Sequence, residues 1–241
     1  MNSSKLNIVI AAYNEETFIF EVIENIIYET QKLNQSFKII IIDDCSTDNT
    51  SSEINKAIKK HDKIEFIVEK NKINSGKGFS LRRGFTYCSD GIIIIQDADL
   101  EYSPSEYKKL IEPILNNKAD VVYGSRFQGS EPKRVLYYTH YLANRFLTTI
   151  SNIFTGLNLT DIETCYKAFT TEVLKNIKLK ENRFGIEPEI TAKLSRVKNV
   201  KFVEVGISYF GRTYKEGKKI KFKDAVRTLY CIFKYNIWAR K

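Results

Sequence analysis

The sequence predicts an α/β fold, with a mostly parallel central sheet flanked by helices. Two observations carry this. Short runs rich in Ile and Val alternate with helix-period segments over the first 125 residues, the pattern of βα units. Those runs are near-continuously apolar rather than alternating, as expected of strands covered on both faces.

The strands read as 6–13 (LNIVIAAY), 37–44 (FKIIIIDD), 63–69 (KIEFIVE), 91–97 (GIIIIQD) and 120–125 (DVVYGS). Between them, Glu16–Leu33 has helical spacing, Thr47 or Asp48 caps a helix through Ile58, and Gly78–Cys88 forms a shorter helix. Ser103 followed by Pro104 makes an N-cap with Pro at the first helical position, opening a helix to about Asn117. The second half is less regular. Tyr138–Phe154 reads as a helix, YKAF as a short strand, Pro188–Val197 as a helix, VKFVEVGISYF as a strand and FKDAVRTLYCIFKYNIW as a long terminal helix. No repeat or linker divides the chain. It is expected to form one domain over 1–211, extended by a basic loop and amphipathic helix over 212–241.

At 241 residues and 43% hydrophobic, the chain can bury one core. The net charge of +9 points to an anionic partner, and residues 212–241 carry +8 of it. Cys45, Cys88, Cys165 and Cys231 are widely spaced and form no metal-ligand pattern with His61 or His140, so reduced thiols in a cytosolic protein are expected. The N-terminal apolar run is too short for a signal peptide, and no stretch reaches the roughly 18 apolar residues of a membrane span.

Ligands bind at the C-terminal ends of strands in such a sheet. There the first strand ends in Tyr13-Asn14-Glu15, the second in Asp43-Asp44 and the fourth in Asp97-Ala98-Asp99, with Glu101 just beyond. Crowded carboxylates raise one another's proton affinity, and a hard divalent cation, Mg²⁺ or Mn²⁺, resolves the conflict. The competing reading makes Asp97 and Asp99 turn and cap residues before the Ser103 helix. Phosphate is not held by a glycine cradle: the turn AAYNEE has no glycine, and Gly76-Lys77-Gly78 does not complete a P-loop.

In order, AAYNEE, IIIIDDCSTDNT, GKG, QDADLEYSP and YGSRF resemble the family-2 glycosyltransferases of GT-A fold, a Rossmann-like sandwich. The second half, through DIETCYKAF, FGIEPEI and ISYFGRTYKEGKKI, resembles the polyprenyl-phosphate branch typified by dolichol-phosphate mannosyltransferase. The resemblance implies Ala11, Tyr13 and Glu15 around the nucleoside and Asp43 and Asp44 on the base or ribose. It places Asp97, Ala98 and Asp99 at the nucleotide sugar, with Asp97, Asp99 and Glu101 as metal ligands and Asp99 foremost. Arg126 and Arg134 would meet an acceptor phosphate, and Arg212 with Lys218 the donor diphosphate. Asp97, Asp99, Arg126 and Arg212 would thus carry catalysis. Ala11-Ala12 stands where the family commonly has Pro-Thr, and Glu101 where many relatives have Gln.

The reaction implied moves a hexose from a nucleotide sugar such as GDP-mannose or UDP-glucose to a polyprenyl phosphate, with inversion. A phosphate acceptor is already anionic and needs no general base. A same-fold enzyme acting on a hydroxyl acceptor would need one, for which Glu187 and Glu189 are candidates; both also suit the start of the helix at Pro188. In the terminal helix, Phe222, Val226, Leu229, Phe233 and Ile237 form an apolar stripe beside Lys223, Arg227, Lys234 and Lys241, flanked by Tyr230 and Trp238. This predicts peripheral attachment to the cytosolic face of a membrane. The alternative from another class, a non-catalytic basic protein binding membrane or nucleic acid, leaves the converging aspartates unexplained, and no nucleic-acid partner is expected.

Overall fold

The computed structural model of the protein describes residues 4–135, 137–213, 216, 217 and 222–239. Lys218, Lys241 and the side chain of Phe222, all named above, lie outside the described residues.

The elements run β1 (Leu6–Ala12), α1 (Ile19–Gln31), β2 (Phe37–Asp43), α2 (Thr50–Lys60), β3 (Glu65–Lys70), α3 (Lys77–Phe85), β4 (Ile92–Asp97), α4 (Tyr107–Leu115) and β5 (Val121–Ser125). Then follow α5 (Tyr138–Thr155), β6 (Lys167–Thr170), α6 (Thr171–Lys175), α7 (Ile186–Leu194), β7 (Phe202–Gly206) and α8 (Phe222–Phe233). Among the described residues the strands form one sheet in the order β3-β2-β1-β4-β6-β5-β7. It is parallel except for β6, which runs antiparallel to both β4 and β5.

The Ile-rich strands are the core. Ile39 to Ile42 on β2 and Ile93 to Ile95 on β4 are fully buried, and burying each such side chain contributes about 1.5–3 kcal/mol. Helices on both faces make that burial possible, which is why these runs lack polar alternation. Register then places the chemistry. Ala12 pairs with Asp43 and Ala11 with Asp97, so β1, β2 and β4 end side by side and their polar termini share one sheet edge. Gln96 fixes the end of β4 from within: its Oε1 accepts the hydroxyls of Tyr107 and Tyr166, both at 2.7 Å, and its Nε2 donates to the Asp97 carbonyl at 3.0 Å.

Three expectations are corrected. Pro188 does not open its helix. α7 starts at Ile186, and a Pro in the first turn loses no intrahelical hydrogen bond, because those N–H groups have no helical acceptor. Ser103 does cap Pro104, but a 3-10 turn precedes α4. The terminal helix presents a different face from the one its hydrophobicity suggests. It buries Thr228, Cys231 and Ile232, continues into a π turn that buries Tyr235 and Asn236, and exposes Val226, Tyr230, Ile237 and Trp238. Polar partners explain the difference. Arg196 donates to the Tyr235 carbonyl at 2.6 Å and to Asn236 Oδ1 at 2.8 Å. Two residues of the expected basic stripe, Arg227 and Lys234, pair with Glu181 at 2.7 and 2.8 Å.

Candidate active site

The turn after β1 is fastened to the loop after β2. Asn14, left-handed at φ 50°, donates its N–H to Ser46 Oγ at 3.0 Å and accepts Thr47 N–H at 2.9 Å, while Glu15 N–H reaches Thr50 Oγ1 at 2.8 Å. This holds Glu15 buried at the sheet edge, below the half-exposed Tyr13. Ala11 lies opposite Asp97, and Ala98 is buried between the two aspartates of the D-x-D pair.

Asp43 and Asp44 are engaged locally. Asp43 accepts Ser46 N–H at 2.8 Å and the Ser51 hydroxyl, with Lys70 at 3.4 Å. Burial pushes its pKa up, but these hydrogen bonds and the Lys70 charge outweigh it and hold the carboxyl below its ordinary value. Asp44 accepts Asn71 Nδ2 at 2.7 Å, Ser75 N–H at 2.9 Å and Gly76 N–H at 2.7 Å, so it organises the loop leading into α3. The glycines of GKG serve that packing. A Cβ on Gly76 would stand 2.5 Å from the Asn182 carbonyl oxygen, and one on Gly78 2.5 Å from that of Glu181.

The D-x-D aspartates face different cations. Asp97 Oδ1 lies 2.8 Å from Lys77 Nζ, which also reaches Glu187 at 3.3 Å and Cys165 Sγ at 3.3 Å. Burial disfavours the Asp97 charge, yet Lys77 prevails and its pKa falls below the ordinary value. Asp99 takes the opposite shift. Burial, then the charges of Asp97 and Glu101, push it up to about 7 against the pull of Arg212. Arg212 pairs with Asp99, lies 3.2 Å from Glu15 Oε2, and donates its backbone N–H to Glu101 Oε1 at 2.7 Å. The other oxygen of Glu101 accepts the Tyr209 hydroxyl at 2.7 Å.

Tyr209 links the basic residues. Its ring lies 5.1 Å under the Arg126 guanidinium, its backbone pairs with the 132–134 segment through Arg134 N–H at 2.9 Å, and Arg212 follows three residues on. Arg126 is not the open fork that the sequence suggests. Its Nε and Nη2 bind Asp161 at 2.6 and 2.7 Å, and Asn144 adds 3.1 Å to the same carboxylate. Burial opposes the Asp161 charge, and Arg126 overcomes it, so the carboxyl sits below its ordinary value. Arg134 is more exposed and reaches Glu216 at 2.7 Å and the Gly211 carbonyl at 3.2 Å. Asp161, within DIETCYKAF, meets Arg126 across 35 residues of sequence, and such a pairing leaves no local signal.

Of the two base candidates, Glu189 is fully buried and accepts Lys180 N–H, Glu181 N–H and Lys193 Nζ at 2.8, 2.7 and 2.5 Å. Glu187 is held between Lys167 and Lys77. Among the described residues no three acidic, His or Cys side chains are gathered closely enough to hold a metal unaided. Asp99 and Glu101 nevertheless offer hard oxygens on one side of the edge, a donor set that fits Mg²⁺ or Mn²⁺ when a ligand's phosphates complete the shell.

A profile of the glycosyl transferase family 2 matches residues 7–178. The dolichol-phosphate mannosyltransferase of Pyrococcus furiosus is 28% identical over 235 residues, covering 96% of this chain and 64% of its own length, so the chain spans just under two thirds of that relative. The UDP-N-acetylglucosamine–dolichyl-phosphate N-acetylglucosaminyltransferase of Methanococcus voltae is 29% identical over 190 residues, 73% of each chain. In fold, the glucosyl-3-phosphoglycerate synthase of Mycobacterium tuberculosis, solved with Mn²⁺, UDP and glucosyl-3-phosphoglycerate, superposes at a TM-score of 0.70 and 17% identity, over 97% of this chain and 80% of that one. With the family profile covering most of the chain, and a carboxylate edge and arginine cluster assembled on a GT-A-type sheet, the chain belongs to glycosyl transferase family 2.

Proposed function

We propose that this glycosyltransferase moves a hexose from a nucleotide sugar of the GDP-mannose or UDP-glucose type to a polyprenyl phosphate, with a divalent metal ion, at the cytosolic face of a membrane. The observation that carries the reading is the single hub at Tyr209, which sets Glu101 of the acidic edge beside Arg126, Arg134 and Arg212. The names of the two relatives support a polyprenyl-type acceptor, and the Mn²⁺–UDP complex of the structural neighbour supports the metal.

Asp99 and Glu101 would hold the metal, with Asp97 contributing at their side despite its pairing to Lys77. The bound ion supplies positive charge that stabilises the departing nucleoside diphosphate. The other roles belong to the chain's own residues. Glu15, Tyr13 and Ala11 border the nucleoside, and Asp43 and Asp44 shape the loops around it. Arg212, with Lys218, neutralises the donor diphosphate. Arg126 and Arg134 orient the acceptor phosphate: Arg126, its Nε and Nη2 held by Asp161, contributes its charge and remaining N–H groups, and Arg134 supplies the exchangeable guanidinium that suits phosphate oxygens. The acceptor oxygen is anionic, so a single inverting displacement needs no base, consistent with the filled oxygens of Glu189.

Membrane contact is proposed through α5. Tyr138, Leu142 and Phe146 recur every fourth residue and are exposed, Phe146 by 58%, followed by Ile153 at 73%. Exposed apolar stripes of this kind mark interaction surfaces. Phe154 stacks edge-on to Phe233 at 5.5 Å, so α8, with Val226 exposed, and the π turn after it, with Ile237 and Trp238 exposed, adjoin the same helix. No helix of the described residues is long and apolar enough to cross a membrane. Flotation with vesicles of anionic and of neutral lipid tests the attachment. The protein is expected to float with anionic vesicles, and Leu142→Asp/Phe146→Asp to remain behind while melting normally. Equal flotation of the variant would exclude α5 as the contact.

A further inference from the structure

The two counter-cations of the D-x-D pair are built differently. Lys77 is the first residue of α3, packed by flanking glycines against the backbone of 181–183, and its charge serves the partly buried Asp97 and the buried Glu187 together. It is part of the frame. Arg212 lies on the segment beyond β7, and its guanidinium spreads across three carboxylates from two strand ends. Nη2 meets Asp99, Nη1 and Nη2 meet Glu15 at 3.2 and 3.3 Å, and Nε lies 3.4 Å from Glu101. The group is 14% exposed and also lies 5.6 Å from the Phe18 ring centroid. It therefore neutralises the oxygens that would bind a metal.

We propose that Arg212 is a resident counter-cation that keeps divalent metal out of the free enzyme, so that metal and nucleoside diphosphate enter as one unit. The proposal rests on the reading of this edge as a metal–nucleotide site. A lone Mn²⁺ ion must displace Arg212 from Asp99 and Glu101, and it leaves the guanidinium with Glu15 as its one remaining carboxylate of the three. Those carboxylates alone complete no metal shell among the described residues. An ion arriving on a diphosphate removes both obstacles. The phosphates supply the missing ligands, and their remaining oxygens give Arg212 a new bidentate partner. Lys77 has no such exchange, since leaving Asp97 would also strip Glu187 of a cation. Arg212 thus links the metal and nucleotide sites, and linkage requires each ligand to strengthen the other by the same factor.

The test is Mn²⁺ binding followed by electron paramagnetic resonance of the free ion, with and without GDP or UDP, for the wild-type chain, Arg212→Gln and Arg212→Lys. Without nucleotide, the wild type and Arg212→Lys are expected to bind Mn²⁺ weakly, and Arg212→Gln about tenfold or more tightly. Adding nucleotide should strengthen Mn²⁺ binding strongly in the wild type and much less in Arg212→Gln. Melting curves for each protein identify a variant that has failed to fold, in which case Arg212→Met replaces it. Equal Mn²⁺ affinity of wild type and Arg212→Gln without nucleotide overturns the exclusion role while leaving the metal–nucleotide reading intact. Absence of Mn²⁺ binding in all three proteins with either nucleotide overturns that reading, and this proposal with it.

Discussion

Replacing Asp161 by Asn tests whether the acceptor arginine is held by a buried charge. Asp161 is fully buried and accepts Arg126 N–H at 3.2 Å, Nε at 2.6 Å and Nη2 at 2.7 Å, with Asn144 at 3.1 Å. The Asn side chain keeps the volume but removes the charge and turns a donor toward a donor. Leaving one member of a buried ion pair uncompensated costs about 3–5 kcal/mol. For a chain of this size 1 kcal/mol corresponds to roughly 2–4 °C, so the melting point should fall by about 6–20 °C. Urea denaturation measures the free energy directly. Arg126→Met and the double variant close a cycle in which the double loss is smaller than the sum of the single losses. In activity assays, Asp161→Asn should raise KM for the acceptor and leave nucleotide binding unchanged. A loss below about 1 kcal/mol, within the ordinary range of an exposed pair, would refute the claim that this ion pair fixes Arg126.

Two further outcomes follow from the frame behind the site. Glu181 binds Arg227, Lys234 and the Tyr235 hydroxyl, and although burial pushes its pKa up, these partners pull it from 4.5 down to about 2. A carboxyl depressed on folding adds stability above its unfolded value and loses it as pH falls through its folded value. Glu181→Gln should therefore destabilise by about 1–2 kcal/mol at pH 7, the exposed ends of Arg227 and Lys234 screening the larger figure that the shift alone implies. The gap should close between pH 4.5 and about 2; a pH-independent gap would argue against an ionic anchor. Gly78→Ala would drive its Cβ to 2.5 Å from the Glu181 carbonyl oxygen and 2.9 Å from that of Arg183. A backbone shift costing about 1–3 kcal/mol is expected by chemical denaturation, and a neutral effect would mean that the 181–183 segment is free to move.

What the sequence made legible was the sheet and its acidic edge. Runs such as IIIID and IIIIQD carry both signals at once, continuous burial and then abrupt polarity, and β1 to β6 begin and end within two residues of the expected strands, whereas β7 stops at Gly206, four residues short of the expected Phe210. The partners of those carboxylates were less legible. Lys77, Arg212 and Asp161 were visible as residues, but their pairs span from 20 to 197 positions, and nothing local specifies which charge answers which. Lys218 lies outside the described residues, so its expected place on the diphosphate stays a proposal. The buried face of the terminal helix is hidden from sequence for a related reason. Hydrophobic periodicity selects Val226, Leu229, Phe233 and Ile237, whereas the buried face includes Thr228, Cys231 and Asn236. A Tyr hydroxyl on Glu181 and an Arg on backbone carbonyl and amide oxygens satisfy that face, and periodicity does not register such partners. Pro suits the first helical position, yet the first turn of α7 accommodates Pro188 equally at its third residue.

The central claim is sugar transfer to a lipid phosphate, and it is tested by incubating the purified chain with a labelled nucleotide sugar, Mg²⁺ or Mn²⁺, and a polyprenyl phosphate in anionic vesicles. The account predicts label in the organic-extractable lipid, dependent on the metal and abolished by Asp99→Asn. No lipid-linked label across GDP- and UDP-sugars with either metal, alongside transfer to a soluble phosphorylated or hydroxyl acceptor, would contradict it.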